Sequence, residues 1–256
     1  MTAQTSITSG YVDVNGLHMY YEAHGEGTPL VLLHGGVVTI DLSFADLIPT
    51  LAESHQVIAV EFQAHGRTAD IDRDITPAAL AGDIVGLLDH LGIGRAHILG
   101  HSMGAAVTIE LAVSHQDRVR SIVPISGSVR MAGMHPDIFD PSRFATSDRL
   151  PTPADMASFR EAYERLSPTP ERFDEFLAKV SGSNADLRGW SDDQLAGITA
   201  PTLIVQGDRD FVTNEHGALM QQLIPGAYLA ILPNTTHMRA TRRPEYLLPM
   251  LADFLD

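Results

Sequence analysis

The chain has 256 residues, 44% of them aliphatic or aromatic and 19% charged, enough to bury a sizeable core and too apolar for a disordered segment. Seventeen basic against 32 acidic side chains leave a formal charge of −15, which repels phosphate backbones and anionic lipid and excludes nucleic acid and membrane surfaces as expected partners. The absence of cysteine removes disulfides, cysteine-ligated zinc and thiol catalysis.

Met1 to Gly10 has neither a basic start nor an apolar run, so no secretory leader is expected there. No stretch approaches the roughly 18–20 apolar residues of a membrane helix. The expected location is the cytoplasm. Tyr11–Asn15 and Leu17–Glu22 read as a hairpin turned through Asn15-Gly16. Pro29–Leu33 is a continuous apolar run, the mark of a strand buried on both faces. Helical spacing of Phe44, Leu47, Ile48 and Leu51 predicts a helix over about Ser43–Ser54, and Gln56–Phe62 predicts a strand. Thr76-Pro77 opens a helix whose stripe runs through Leu80, Ile84, Leu87, Leu88 and Leu91 to a stop at Gly92.

A strand at Ala96–Leu99, a helix at Met103–Ser114 and a strand at Ser121–Ile125 follow. Further on, strands at Thr202–Gln206 and Tyr228–Leu232 flank a helix at Asn214–Leu223, and a last helix covers Pro244–Leu255. Such alternation implies an α/β fold with a mostly parallel sheet and helices on both faces. Residues 127–197 break the rhythm, with helical patterns at Met156–Leu166 and Pro170–Val180 and no convincing strand. They are expected to form a helical cap over a core made of residues 1–126 and 198–256.

Gly100-His101-Ser102-Met103-Gly104 matches G-x-S-x-G between an apolar strand and a helix. A nucleophile there needs a sharp turn with small neighbours, and the helix start points N–H groups at the reacting centre. The plainer alternative is a helix-capping serine between glycines. A serine hydroxyl needs a base, and His237, just after the last strand, is the histidine placed to serve. His216 is expected on a helix surface, and His101 should point away from Ser102. The strand at Thr202–Gln206 ends in Gly207-Asp208-Arg209-Asp210, offering two carboxylates that spacing alone does not separate. Leu33-His34-Gly35-Gly36 follows a buried strand, so the N–H groups of Gly36 and Met103 could converge on a developing oxyanion, with His34 anchoring the loop.

With these pieces in place, the chain resembles the α/β-hydrolase fold family over nearly its full length, in its serine hydrolase and esterase branch. The resemblance rests on Leu33–Gly36, Ala64-His65-Gly66-Arg67, Gly100–Gly104, Gly207–Asp210 and Thr236-His237. It implies an eight-stranded sheet flanked by helices, an inserted cap, and a Ser102, Asp210, His237 triad; the family's G-x-x-D pattern favours Asp210 over Asp208. Ala64 departs from the family, which usually has glycine there. Ser102 in place of an elbow aspartate disfavours epoxide and haloalkane hydrolysis. The implied activity is hydrolysis of a small, mainly apolar carboxylic ester through an acyl-enzyme.

Met131, Met134, Phe139 and Met238 are the expected substrate contacts, with Met103 beside the nucleophile, because thioethers make an adaptable apolar wall. Residues 126–134 should roof the site. No cofactor and no metal are expected: no third glycine completes Gly92-Ile93-Gly94, and no H-E-x-x-H motif occurs. The expected partner is a small ester-like molecule, and the sequence is compatible with a homo-oligomer. Carbon–carbon bond hydrolysis, lactone opening and cofactor-free perhydrolysis would use the same triad. A ligand-binding receptor with negligible turnover is the reading from another class.

Overall fold

The computed structural model describes residues 7–144, 146–183 and 189–255. Residues 1–6 of the segment read for a leader, and residues 145 and 184–188 of the predicted cap, lie outside the described residues. Eight strands form one sheet: β1 (Ile7–Val14), β2 (Leu17–His24), β3 (Thr28–Leu33), β4 (His55–Val60), β5 (Ala96–His101), β6 (Val119–Ile125), β7 (Leu203–Arg209) and β8 (Tyr228–Thr236). Their spatial order is β1-β2-β4-β3-β5-β6-β7-β8. The first two pairings are antiparallel and all the others parallel.

Central strands are covered on both faces, so their sequences alternate between two apolar layers rather than between apolar and polar. Val31, Leu33, Ile58, Val60 and Ile98 pack with Leu80, Ile84, Leu87 and Val107, which belong to α3 (Pro77–His90) and α4 (Met103–Ser114). Leu30, Leu32, Val57, Ala59 and Leu99 face Phe44, Leu47, Leu251 and Leu255 on the opposite side. Among the described residues no helix is long and apolar enough to cross a membrane.

The predicted helix over Ser43–Ser54 is two short ones, α1 (Ile40–Phe44) and α2 (Ile48–Leu51). Pro49 is the cause. In a continuous helix its ring would meet the carbonyl four residues back, whereas in the first turn of α2 its missing N–H costs nothing. Thr39 caps α1 by accepting from Leu42 N–H. Residues 127–197 hold α5 (Pro153–Leu166), α6 (Phe173–Ser183), α7 (Asp192–Ala196) and several 3-10 turns, one of which (Pro170–Arg172) begins the pattern read as helix from Pro170. The Ala64 turn is left-handed (φ 67°), the backbone region that favours glycine.

Candidate active site

Parallel pairing brings the carboxyl ends of β3, β5, β6, β7 and β8 to one rim. There Ser102 joins β5 to α4 with φ 54° and ψ −112°. Its N–H donates to Ile125 O at 2.9 Å, tying the turn to β6. Glycine is required on both sides because α4 passes so close to the sheet. A Cβ on Gly100 would run into Gly104 O, and one on Gly104 into Leu33 O.

His237 follows β8 in a 3-10 turn and is 3% exposed. Ser102 Oγ lies 2.8 Å from its Nε2, and Asp210 Oδ1 lies 2.6 Å from its Nδ1. A carboxylate only accepts, so Nδ1 carries the proton and Nε2 accepts from the serine hydroxyl. Asp210 is fully buried. Burial alone would raise its carboxyl, but the His237 charge and hydrogen bonds from His237, Ser126 and Gly207 N–H outweigh it and hold Asp210 below the ordinary carboxylate range.

The ring of His237 is clamped between two others. Phe211 stacks on it at 3.8 Å between centroids and 7° between planes, and His101 lies 4.9 Å away at 42°. His101 Nε2–H donates to the carbonyl of His237 at 3.0 Å. Burial, then the neighbouring His237 charge, pushes His101 down to about 3. It is therefore neutral. Asp208 does not reach the ring. Its carboxylate accepts from Asn234 N–H and Thr235 N–H, both at 2.9 Å, bracing the loop that presents His237.

Buried histidines support the opposite wall. His34 Nδ1–H donates to Gly35 O at 2.7 Å and Nε2 accepts from Phe62 N–H at 3.1 Å, anchoring the loop after β3. His65 Nδ1–H donates to Gln63 O at 2.8 Å and Nε2 accepts from Val37 N–H at 3.2 Å. Burial holds His34 well below its ordinary value and His65 at about 4. An unfolded chain binds these protons near pH 6.5, whereas the fold refuses them until the pH is far lower. Stability is thus complete above about pH 6.5 and declines as the pH falls toward the folded values, by on the order of 3 kcal/mol for His65 alone. Denaturant melts should show a clear fall in stability between pH 6.5 and 4.5, and a flat profile would contradict neutral burial.

Above Ser102 lies a cavity of about 520 Å³. Its floor is Ser102, Met103, Ala106 and His237, one side is Ile75–Pro77 and Leu80, and its roof includes Met131, Met134, Ile138, Phe139 and Met156. Met131, Met134 and Phe139, expected as substrate contacts, line this cavity. Met238, also expected there, is outside the described lining and packs against the core, because the 3-10 turn that aims His237 at the cavity rotates the next residue away. Gly36 is also outside the lining, while its neighbour Gly35 packs against Ser102, where an added Cβ would stand 3.4 Å from Ser102 Cβ. The described lining holds no Arg, Lys, Asp or Glu.

His216, expected on a surface, is 5% exposed. The chain leaving β6 crosses its helix, so Nε2 accepts from Val129 N–H at 3.1 Å and Gly133 lies against the ring. More bonds join the two segments: Thr213 N–H to Gly133 O at 2.9 Å, His135 N–H to Phe211 O at 2.6 Å, and a bridge between Met134 and Val212. Sequence reasoning missed Phe211, although it directly follows Asp210, and it missed the contact of Ser126 with Asp210.

A model described as "Alpha/beta hydrolase family" matches residues 30–248. The 2-hydroxy-6-oxononadienedioate/2-hydroxy-6-oxononatrienedioate hydrolase 2 of Pseudomonas putida is 28% identical, over 93% of this chain and 92% of its own. Among solved structures, Est816, described as an N-acyl homoserine lactone degrading enzyme, is 25% identical with a TM-score of 0.76, covering 95% of this chain and 99% of its own. The 2-hydroxy-6-oxo-6-phenylhexa-2,4-dienoate hydrolase of Rhodococcus sp. strain RHA1 shares the fold, with a TM-score of 0.80 at 20% identity over 98% of this chain and 99% of its own.

Proposed function

The chain belongs to the alpha/beta hydrolase family, and on that premise we propose that it is a serine hydrolase cleaving small, mainly apolar carboxylic esters, open-chain or cyclic, through an acyl-enzyme. The observation that carries this is the hydrogen-bonded line Asp210–His237–Ser102 ending in a cavity whose described lining includes no Arg, Lys, Asp or Glu. Ser102 Oγ attacks the ester carbonyl carbon while His237 Nε2 takes its proton, and Asp210 stabilises the imidazolium. The N–H of Met103, at the start of α4, receives the developing oxyanion. Collapse breaks the C–O bond, and the alcohol leaves with the proton from Nε2. Water, deprotonated by the same nitrogen, then attacks the acyl carbon and releases Ser102 Oγ, which regains the proton.

Residues 127–197 act as the cap, with Met131, Met134 and Phe139 against the substrate. Dienedioate substrates, as in the name of the Pseudomonas putida relative, carry two carboxylates. Burying a carboxylate against a lining whose described residues include no Arg or Lys costs several kcal/mol, so a neutral substrate is favoured. A neutral N-acyl lactone, as in the description of Est816, meets that condition and uses the same chemistry.

The test compares p-nitrophenyl butyrate with mono-p-nitrophenyl glutarate, which adds a terminal carboxylate. The neutral ester should give a p-nitrophenol burst and a kcat/KM ~10²-fold higher. Equal or reversed ranking would remove the apolar-substrate assignment. Saturable binding without turnover of either ester would make the protein a receptor.

A further inference from the structure

Ser126, like Ser102, is bent into a left-handed backbone at this rim. Ser126 directly follows β6, is 2% exposed, and has φ 55°. Glycine is the residue that such a backbone favours, so a serine here accepts strain for what its side chain does. Its N–H donates to Val205 O on β7 at 2.7 Å. Its hydroxyl donates to Asp210 Oδ2, while the other carboxylate oxygen takes the His237 ring.

The remaining bond to Oδ2 comes from Gly207 N–H at 3.2 Å. With acceptor oxygens engaged on both sides, the carboxyl plane cannot turn without breaking a bond. The choice of a hydroxyl also matters. A Lys or Arg in its place would neutralise the carboxylate, whereas a neutral donor orients it and leaves its full charge facing the imidazolium.

We infer that Ser126 is a positioning residue that fixes the plane of the Asp210 carboxylate against His237; this rests on the serine-hydrolase reading above. Ser126 borders the cavity, and its hydroxyl acts on the reaction through Asp210. The hydroxyl lies 84 positions from its partner in the chain, and the adjacency of β6 and β7 in the sheet brings the two together.

Ser126→Ala should lower kcat on p-nitrophenyl butyrate ~10-fold with KM within about twofold. Ser126→Gly removes the same hydroxyl but relieves the backbone, so it should lose as much kcat with no fall in Tm, which separates the effect from misfolding. In an Asp210→Ala background the Ser126→Ala change should alter kcat less than about twofold, since no carboxylate remains to orient. Unchanged kcat in the single variants, or the same fractional loss in both backgrounds, would overturn the assignment. A parallel Ser102→Ala control tells the two failures apart. If that control keeps full activity, the hydrolase reading and this inference fall together. If it loses activity while Ser126→Ala does not, only the inference falls.

Discussion

Ser102→Ala should lower kcat on a short p-nitrophenyl ester by ~10³-fold or more while leaving the fold intact. The hydroxyl is the only part of the residue that reaches His237 Nε2. The backbone bond to Ile125 O that shapes the turn remains in alanine. Alanine at φ 54° bears about the same strain as serine, so thermal stability should barely move. The comparison is made by steady-state kinetics on variants matched by Tm. An alanine variant with wild-type turnover would remove Ser102 from the chemistry.

Asp210→Asn should cost ~10³–10⁴-fold in kcat. The amide can present an N–H to Nδ1, which favours the wrong tautomer of His237 and removes the charge that stabilises the imidazolium. Asp208→Asn should cost far less kcat, within about tenfold, because that carboxylate holds backbone N–H groups of residues 234 and 235 and not the ring. Its effect should instead be a lowered Tm, as the loop presenting His237 loses a charged acceptor. The reverse ranking of the two variants would transfer the acid's role to Asp208.

Much of this site could be read from local pattern. Ser102 and His237 each follow a strand and sit where the sheet rim must be, and Asp210 stands in a loop that belongs to the same rim. The helix break at Pro49 was written locally too, but the apolar spacing of Phe44, Leu47 and Leu51 masked it. What local pattern could not supply is which loops become neighbours. Burial of His216 depends on the chain leaving β6 and crossing over it. The bond from Ser126 to Asp210 depends on β6 lying beside β7. Met238 follows the same logic on a smaller scale, since a 3-10 turn sends adjacent side chains in different directions.

The hydrogen bonds between residues 129–135 and the stretch 211–216 weld the ceiling of the cavity to Phe211, the ring stacked on His237. Away from that weld, the lining residues Phe139 and Phe144 stand more than half exposed. The weld also restricts how such a protein can diversify. Remodelling the ceiling near Gly133 to accept a bulkier acyl group would tilt the imidazole at the same time, so new selectivity is won more cheaply around residues 138–144, where side chains can change without disturbing the chemistry beneath.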